Sequence, residues 1–129
     1  MKNSELITDA LREIGVIDAY TEPSSEAAAS ALRKLNSLMS SLKAETIELG
    51  YFSQTNASED LPLSEDDALL IMPIFAMALT INYPSAQIPQ TLPAWAASNH
   101  SRLLLNAVLG NAQEASLTNM PLGSWRGWW

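Results

Sequence analysis

The chain has 129 residues and a mass of 14.0 kDa, enough for one domain with a modest core of its own. It is 47% hydrophobic but only 16% charged, with a formal net charge of −7 and a pI of about 4.5, which argues against a tight grip on nucleic-acid phosphates. There is no cysteine and only one histidine, so disulfides, thiolate chemistry and Cys-ligated metals are excluded and a His-based zinc site is not expected.

The low charge implies that part of the apolar surface is covered by a partner or by further copies of the chain. At the start, MKNSELITDALREIG lacks a continuous apolar core, so no signal peptide is predicted and synthesis is expected in the cytoplasm. Ser4 to Ile14 reads as an amphipathic helix capped by Asn3 or Ser4. Leu6, Ile7, Ala10, Leu11 and Ile14 form its stripe and Gly15 its stop. Val16 to Thr21 is a connector, with Tyr20 expected against the core.

Thr21, Pro23, Ser24 and Ser25 form a helix-start cluster. The helix predicted from there runs to about Glu48 and ends at Gly50. Its stripe is Ala28, Ala31, Leu35, Leu38 and Leu42, widened by Ala27, Leu32 and Met39. Tyr51 to Leu63 is poor in helix formers and reads as a long loop or hairpin. Loops of that length are often functional or ordered by a partner. Tyr51, Phe52, Gln54, Glu59 and Asp60 are its candidate contact residues.

Ser64 can cap a third helix, and Glu65, Asp66 and Asp67 suit its positive N-terminal end. That helix is expected to reach Asn82, to be surrounded by other elements, and to kink near Leu69 to Met72 because of Pro73. Its apolar run, Ala68 to Ile81, is about 14 residues, short of the roughly 20 that cross a bilayer. No membrane is therefore expected as a partner.

Pro84, Pro89 and Pro93 punctuate a connector. A last helix is predicted from Pro93 to about Leu109, with Trp95, Leu103, Leu104 and Ala107 on its apolar face. Ser98, Asn99, Arg102 and Asn106 are assigned to its polar face. The prediction is thus an all-α bundle of about four helices over residues 1–112, followed by an extended arm over 113–129. Pro121, Gly123 and Gly127 oppose helix in the tail, which nevertheless holds three of the four tryptophans and Arg126. Solvated disordered tails are poor in aromatics, and Trp and Arg are enriched at binding hot spots. The tail either docks on another chain or folds back on its own domain; docking is the reading preferred here.

No catalytic constellation stands out. Glu59 and Glu65 could form a carboxylate pair, but spacing along a loop says nothing about their separation in space. His100 has no serine, aspartate or zinc-ligand pattern around it. The five glycines are scattered and build no phosphate loop. Arg33, Lys34 and Lys43 read as a solvated helix face. No cofactor is expected.

The order of these signals resembles the head-to-tail adaptors of tailed bacteriophages, in particular the tail accessory factors of short-tailed phages. The matching residues are Leu11, Arg12, Gly15 and Val16; then Glu22 and Pro23; Leu35, Asn36, Leu38 and Met39; and Gly50, Tyr51 and Phe52. The likeness covers about Ser4 to Pro84 and lies in the order of common pieces; Pro73 departs from it.

The resemblance implies a non-enzymatic virion protein at the portal vertex. Such proteins form a ring, usually of twelve copies, beneath the portal. They extend the DNA channel, retain the packaged DNA and carry the tail or nozzle proteins. DNA would pass through without specific binding, and an acidic lining would let it slide. The portal-binding arm would fall on Met120, Pro121, Leu122, Trp125, Arg126, Trp128 and Trp129. The loop of Tyr51, Phe52, Gln54, Glu59 and Asp60 would face the tail. Two other classes stay open. A virion-associated peptidoglycan hydrolase would reveal itself in a zymogram. A small acidic helical interaction module would bind a partner other than a portal ring. A DNA-binding repressor fits least, because the charge opposes it and no recognition helix is visible.

Overall fold

The computed structural model describes the chain from Met1 to Asn119, with side chains as far as Leu109. Four helices make an all-α bundle: α1 (Asn3–Glu13), α2 (Ser25–Ala44), α3 (Glu65–Leu79) and α4 (Leu92–Asn119). No strand is present among the described residues; one isolated antiparallel bridge joins Lys2 to Asp60.

α3 is the hub. It packs on α1, α2 and α4, and α1 also packs on α2, whereas the described residues of α2 and α4 do not bring those two helices directly together. The reason is in its composition. Ala68, Ile71, Phe75, Ala76 and Leu79 are buried, while Leu70, Met72, Ile74 and Met77 pack against the same core from its other sides. Ser64 caps it as predicted, its hydroxyl accepting from Asp67 N at 3.2 Å. Pro73 is buried inside α3, which stays helical from Glu65 to Leu79. A proline cannot donate to the carbonyl four residues back. That carbonyl belongs to Leu69, whose side chain is 62% exposed, so water can reach this side of the helix. At the next residue, the buried Asn99 side chain donates to Leu70 O at 3.1 Å. Asn99, assigned to the polar face of the last helix, is thus a buried residue with its partner on α3. Trp95, assigned to the apolar face, is 41% exposed.

The α1 stripe is buried as predicted, from Leu6 to Ile14. Its cap is different. Lys2 occupies the N-cap position and supplies no side-chain bond. The loop does the capping instead: Asn3 N donates to Glu59 O at 3.0 Å and Ser4 N to Ala57 O at 2.8 Å. At the other end Gly15 has φ +72°, and Val16 N donates back to Leu11 O at 3.1 Å. The positive φ favours glycine, and a Cβ there would be tight as well, 3.3 Å from the Cβ of Gln87.

Two expectations are corrected beside these helices. Tyr20 does not pack on the core; it is 96% exposed, on a turn held by Asp18. Asp18 accepts from Tyr20 N at 2.9 Å and from the Thr21 hydroxyl at 2.5 Å. The Thr21 bond, then the Tyr20 bond, hold the Asp18 carboxyl below its usual pKa. The second helix stops at Ala44, not near Glu48. Thr46 turns left-handed at φ 69°, and Ile47 N donates to Leu42 O at 3.0 Å. Continued helix would carry Ile47 about 140° round from Leu42, away from the core stripe. Ending the helix early buries it to 2% exposure.

α4 is longer than predicted. It passes Gly110 and Asn111 and reaches Asn119, so residues 113–119 are helical rather than extended. One glycine costs a helix about 1 kcal/mol; the Leu103–Leu105 run before it and Ala112 to Ala115 after it consist mostly of good helix formers. At 28 residues, α4 spans about 42 Å, against about 22 Å for the 15 residues of α3.

Candidate functional site

The loop between α2 and α3 is built inward. Asn36, on α2, grips it with both ends of its amide. Nδ2 donates to Gln54 O at 2.9 Å, and Oδ1 accepts from Gln54 N at 3.0 Å and from the Tyr51 hydroxyl. Gln54 passes the link on, accepting from Asn3 Nδ2 at 3.0 Å and donating to Phe52 O at 2.9 Å. Burial pushes the Tyr51 phenol up to about 12. The same network leaves one buried acceptor, Asn3 Oδ1, without a partner.

This sorts the predicted loop residues. Phe52 is 64% exposed, and Glu59 and Asp60 are exposed. Tyr51 is half-buried and Gln54 only 4% exposed. Gln54 is therefore not a contact residue; its amide holds the loop, and a polar residue in a polar stretch carried no sequence signal of that burial. Asn36, named above only for the resemblance, was given no part in holding the loop. It sits in the α2 stretch as a polar interruption between Leu35 and Leu38, which is the available signal.

A second feature lies where α2 and α4 diverge above α3. Leu38, Leu42, Ile74, Met77, Ala96 and Ala97 line a cleft of about 260 Å³. Its rim is polar: His100 Nε2 lies 2.6 Å from Glu45 Oε2, joining the start of the loop to α4. Glu45 is exposed, and this contact uses one of its two carboxylate oxygens. His100, for which the sequence showed no catalytic or zinc-ligand pattern, forms that bridge. A further groove of about 410 Å³, more open to hydroxyl and amide groups, lies between α1, the start of α2 and Thr55 to Ser58.

The third feature is apolar surface on α4. Leu105, Val108 and Leu109 are each nearly three-fifths exposed. Leu103 is buried, and Leu104 and Ala107 pack against the core. Helical spacing puts 105, 108 and 109 on the opposite side. The predicted arm residues Met120, Pro121, Leu122, Trp125, Arg126, Trp128 and Trp129 lie outside the described residues. No cluster of three or more metal-ligating side chains occurs among the described residues. No described helix is long and apolar enough to cross a membrane. The chain matches no protein-family model, no curated protein and no solved structure.

Proposed function

We propose that the chain is a head-to-tail adaptor of a phage virion, bound to a portal ring through its C-terminal segment and repeated around the ring. The observation that carries this reading is α4. It outruns the helix it packs on and exposes Leu105, Val108 and Leu109, and an aromatic segment follows it in sequence. A bundle that ends in such a helix supports a part that joins other chains better than one that encloses a reaction. Exposed large apolar side chains clustered on one helix are a mark of interaction surface. Trp125, Arg126, Trp128 and Trp129 are the proposed anchors, because rigid aromatics and arginine dominate hot spots. Repetition around a ring would add avidity to each weak arm. The exposed Phe52, with Glu59 and Asp60, is the proposed tail-facing surface.

The test is the mass in solution of the chain mixed with the portal ring, by light scattering. The expected outcome is a stoichiometric complex with the full chain and none after deletion of residues 120–129. A complex that survives the deletion would move the anchor elsewhere on the bundle. No complex with either form would favour the interaction-module reading.

A further inference from the structure

We infer that the cleft between α2 and α4 is a receptor for the C-terminal segment of a second copy of this chain. The cleft walls are Leu38, Leu42, Ile74 and Met77, with Ala97 at the mouth. Its volume, about 260 Å³, lies below the range of roughly 300–1,000 Å³ usual for small-molecule pockets and suits a single large side chain. An indole is the fitting occupant. It brings a large apolar face, accepts a thioether such as that of Met77 against its ring, and carries one N–H that needs an acceptor. The second carboxylate oxygen of Glu45, at the rim and not used by His100, is such an acceptor.

The chain supplies the matching segment. Residues 120–129, Met-Pro-Leu-Gly-Ser-Trp-Arg-Gly-Trp-Trp, carry one cationic and no acidic side chain. In an extended backbone residues two apart share a side. With Trp128 in the cleft, Arg126 would lie on the same side and meet the Glu45 carboxylate. The groove beside α1 is the poorer match, because its lining residues carry no carboxylate.

Reach selects a second copy over the same chain. From His100 to Asn119 α4 covers about 28 Å. Trp125 stands six residues beyond Asn119 and reaches about 21 Å at full stretch, short of its own cleft. Trp128 reaches about 31 Å and Trp129 about 35 Å only when fully stretched, so reversing direction after Asn119 would leave little slack. A neighbouring copy imposes no such reversal. Each copy then gives one segment and receives one, a head-to-tail contact that closes into a ring or grows as a chain. This inference does not depend on portal binding but draws on the same segment, so the Trp128 and Arg126 of one copy serve one partner or the other at a time.

The test uses two variants and no portal. Ala97→Arg fills the mouth of the cleft and repels Arg126 while keeping the C-terminal segment. The second variant lacks residues 120–129 and keeps the cleft open. Ala97 is exposed, so the substitution leaves the bundle intact. Light scattering is expected to show each variant alone as a monomer and the equimolar mixture as a one-to-one pair. Trp128→Ala in the first variant is expected to weaken that pair about tenfold or more. A mixture that stays monomeric overturns the inference, as does an Ala97→Arg variant that pairs with itself as the unaltered chain does. Portal association, measured separately on the full chain, can succeed or fail without changing either result.

Discussion

At the residue scale the loop depends on one amide. Asn36 makes three hydrogen bonds across 15 to 18 positions of sequence, to Tyr51 and to both backbone groups of Gln54. Asn36→Ala would strand those groups. The expected cost is roughly 2–4 kcal/mol, read by urea denaturation. Amide exchange should rise at Asn3 and Ser4 as well as in the loop, because loop carbonyls cap α1. Tyr51 titration adds a pH signature. Its folded pKa is raised to about 12, above the ordinary value of 10.0, so the folded state holds its proton longer. The stability this contributes is fully present below pH 10 and is lost as pH rises from there toward 12. Tyr51→Phe should remove that part of the alkaline decline, which the difference between the two denaturation-against-pH curves isolates. Thr46 carries the opposite kind of prediction. It is a β-branched residue at φ 69° with an exposed side chain. Thr46→Gly should stabilise the protein by about 0.5–1 kcal/mol, and a loss of stability in denaturant would show that the Thr46 side chain contributes more than its backbone costs.

At the scale of elements, one helix end was decided by burial elsewhere. α2 stops where stopping buries Ile47, four residues before Glu48 and six before the obvious breaker, Gly50. Ile47→Ala should cost about 2–4 kcal/mol while the helical circular-dichroism signal stays level or grows, since nothing then rewards the early stop. α4 goes on where local chemistry hinted at an end. Its exposed residues Leu105, Val108 and Leu109 precede Gly110. Gly110→Pro should disrupt the C-terminal part of α4 by about 3 kcal/mol or more locally. The bundle, whose described contacts on α4 lie at or before Ala107, should keep its melting temperature within a few degrees. Portal association should fall sharply in the same variant, measured by light scattering.

For the whole molecule, the balance of charge and apolar surface sets the kind of partner. A net charge of −7 repels duplex DNA as a ligand, and no retardation of duplex DNA is expected in a mobility-shift assay at physiological salt. The same charge also opposes self-association over long range, so head-to-tail pairing must rest on short-range contacts such as an indole in an apolar cleft. Pairing of the two variants should therefore change little as salt is raised, because screening weakens both the repulsion between acidic copies and the Arg126–Glu45 contact and leaves the indole burial. The His100–Glu45 bridge is half-exposed and adds little to stability by itself. Its importance is positional, since it holds the loop start and α4 on either side of the cleft.

Much of this protein was legible as one-dimensional pattern. The stripes of α1 and α2, the Ser64 cap, the stop at Gly15 and the all-round apolar character of α3 rest on contacts within a few residues. Period and capping chemistry report those directly. So the all-α class and the order of four helices follow from sequence alone. What the tertiary structure decided involves partners far apart in the chain. The burial of Gln54 and Asn99, the capping of α1 by loop carbonyls, the exposure of Tyr20 and the early end of α2 each depend on which distant surface arrives. The cleft is the extreme case. It exists because α2 and α4 both need α3 and do not need each other, and no local spacing encodes the gap that this leaves between them.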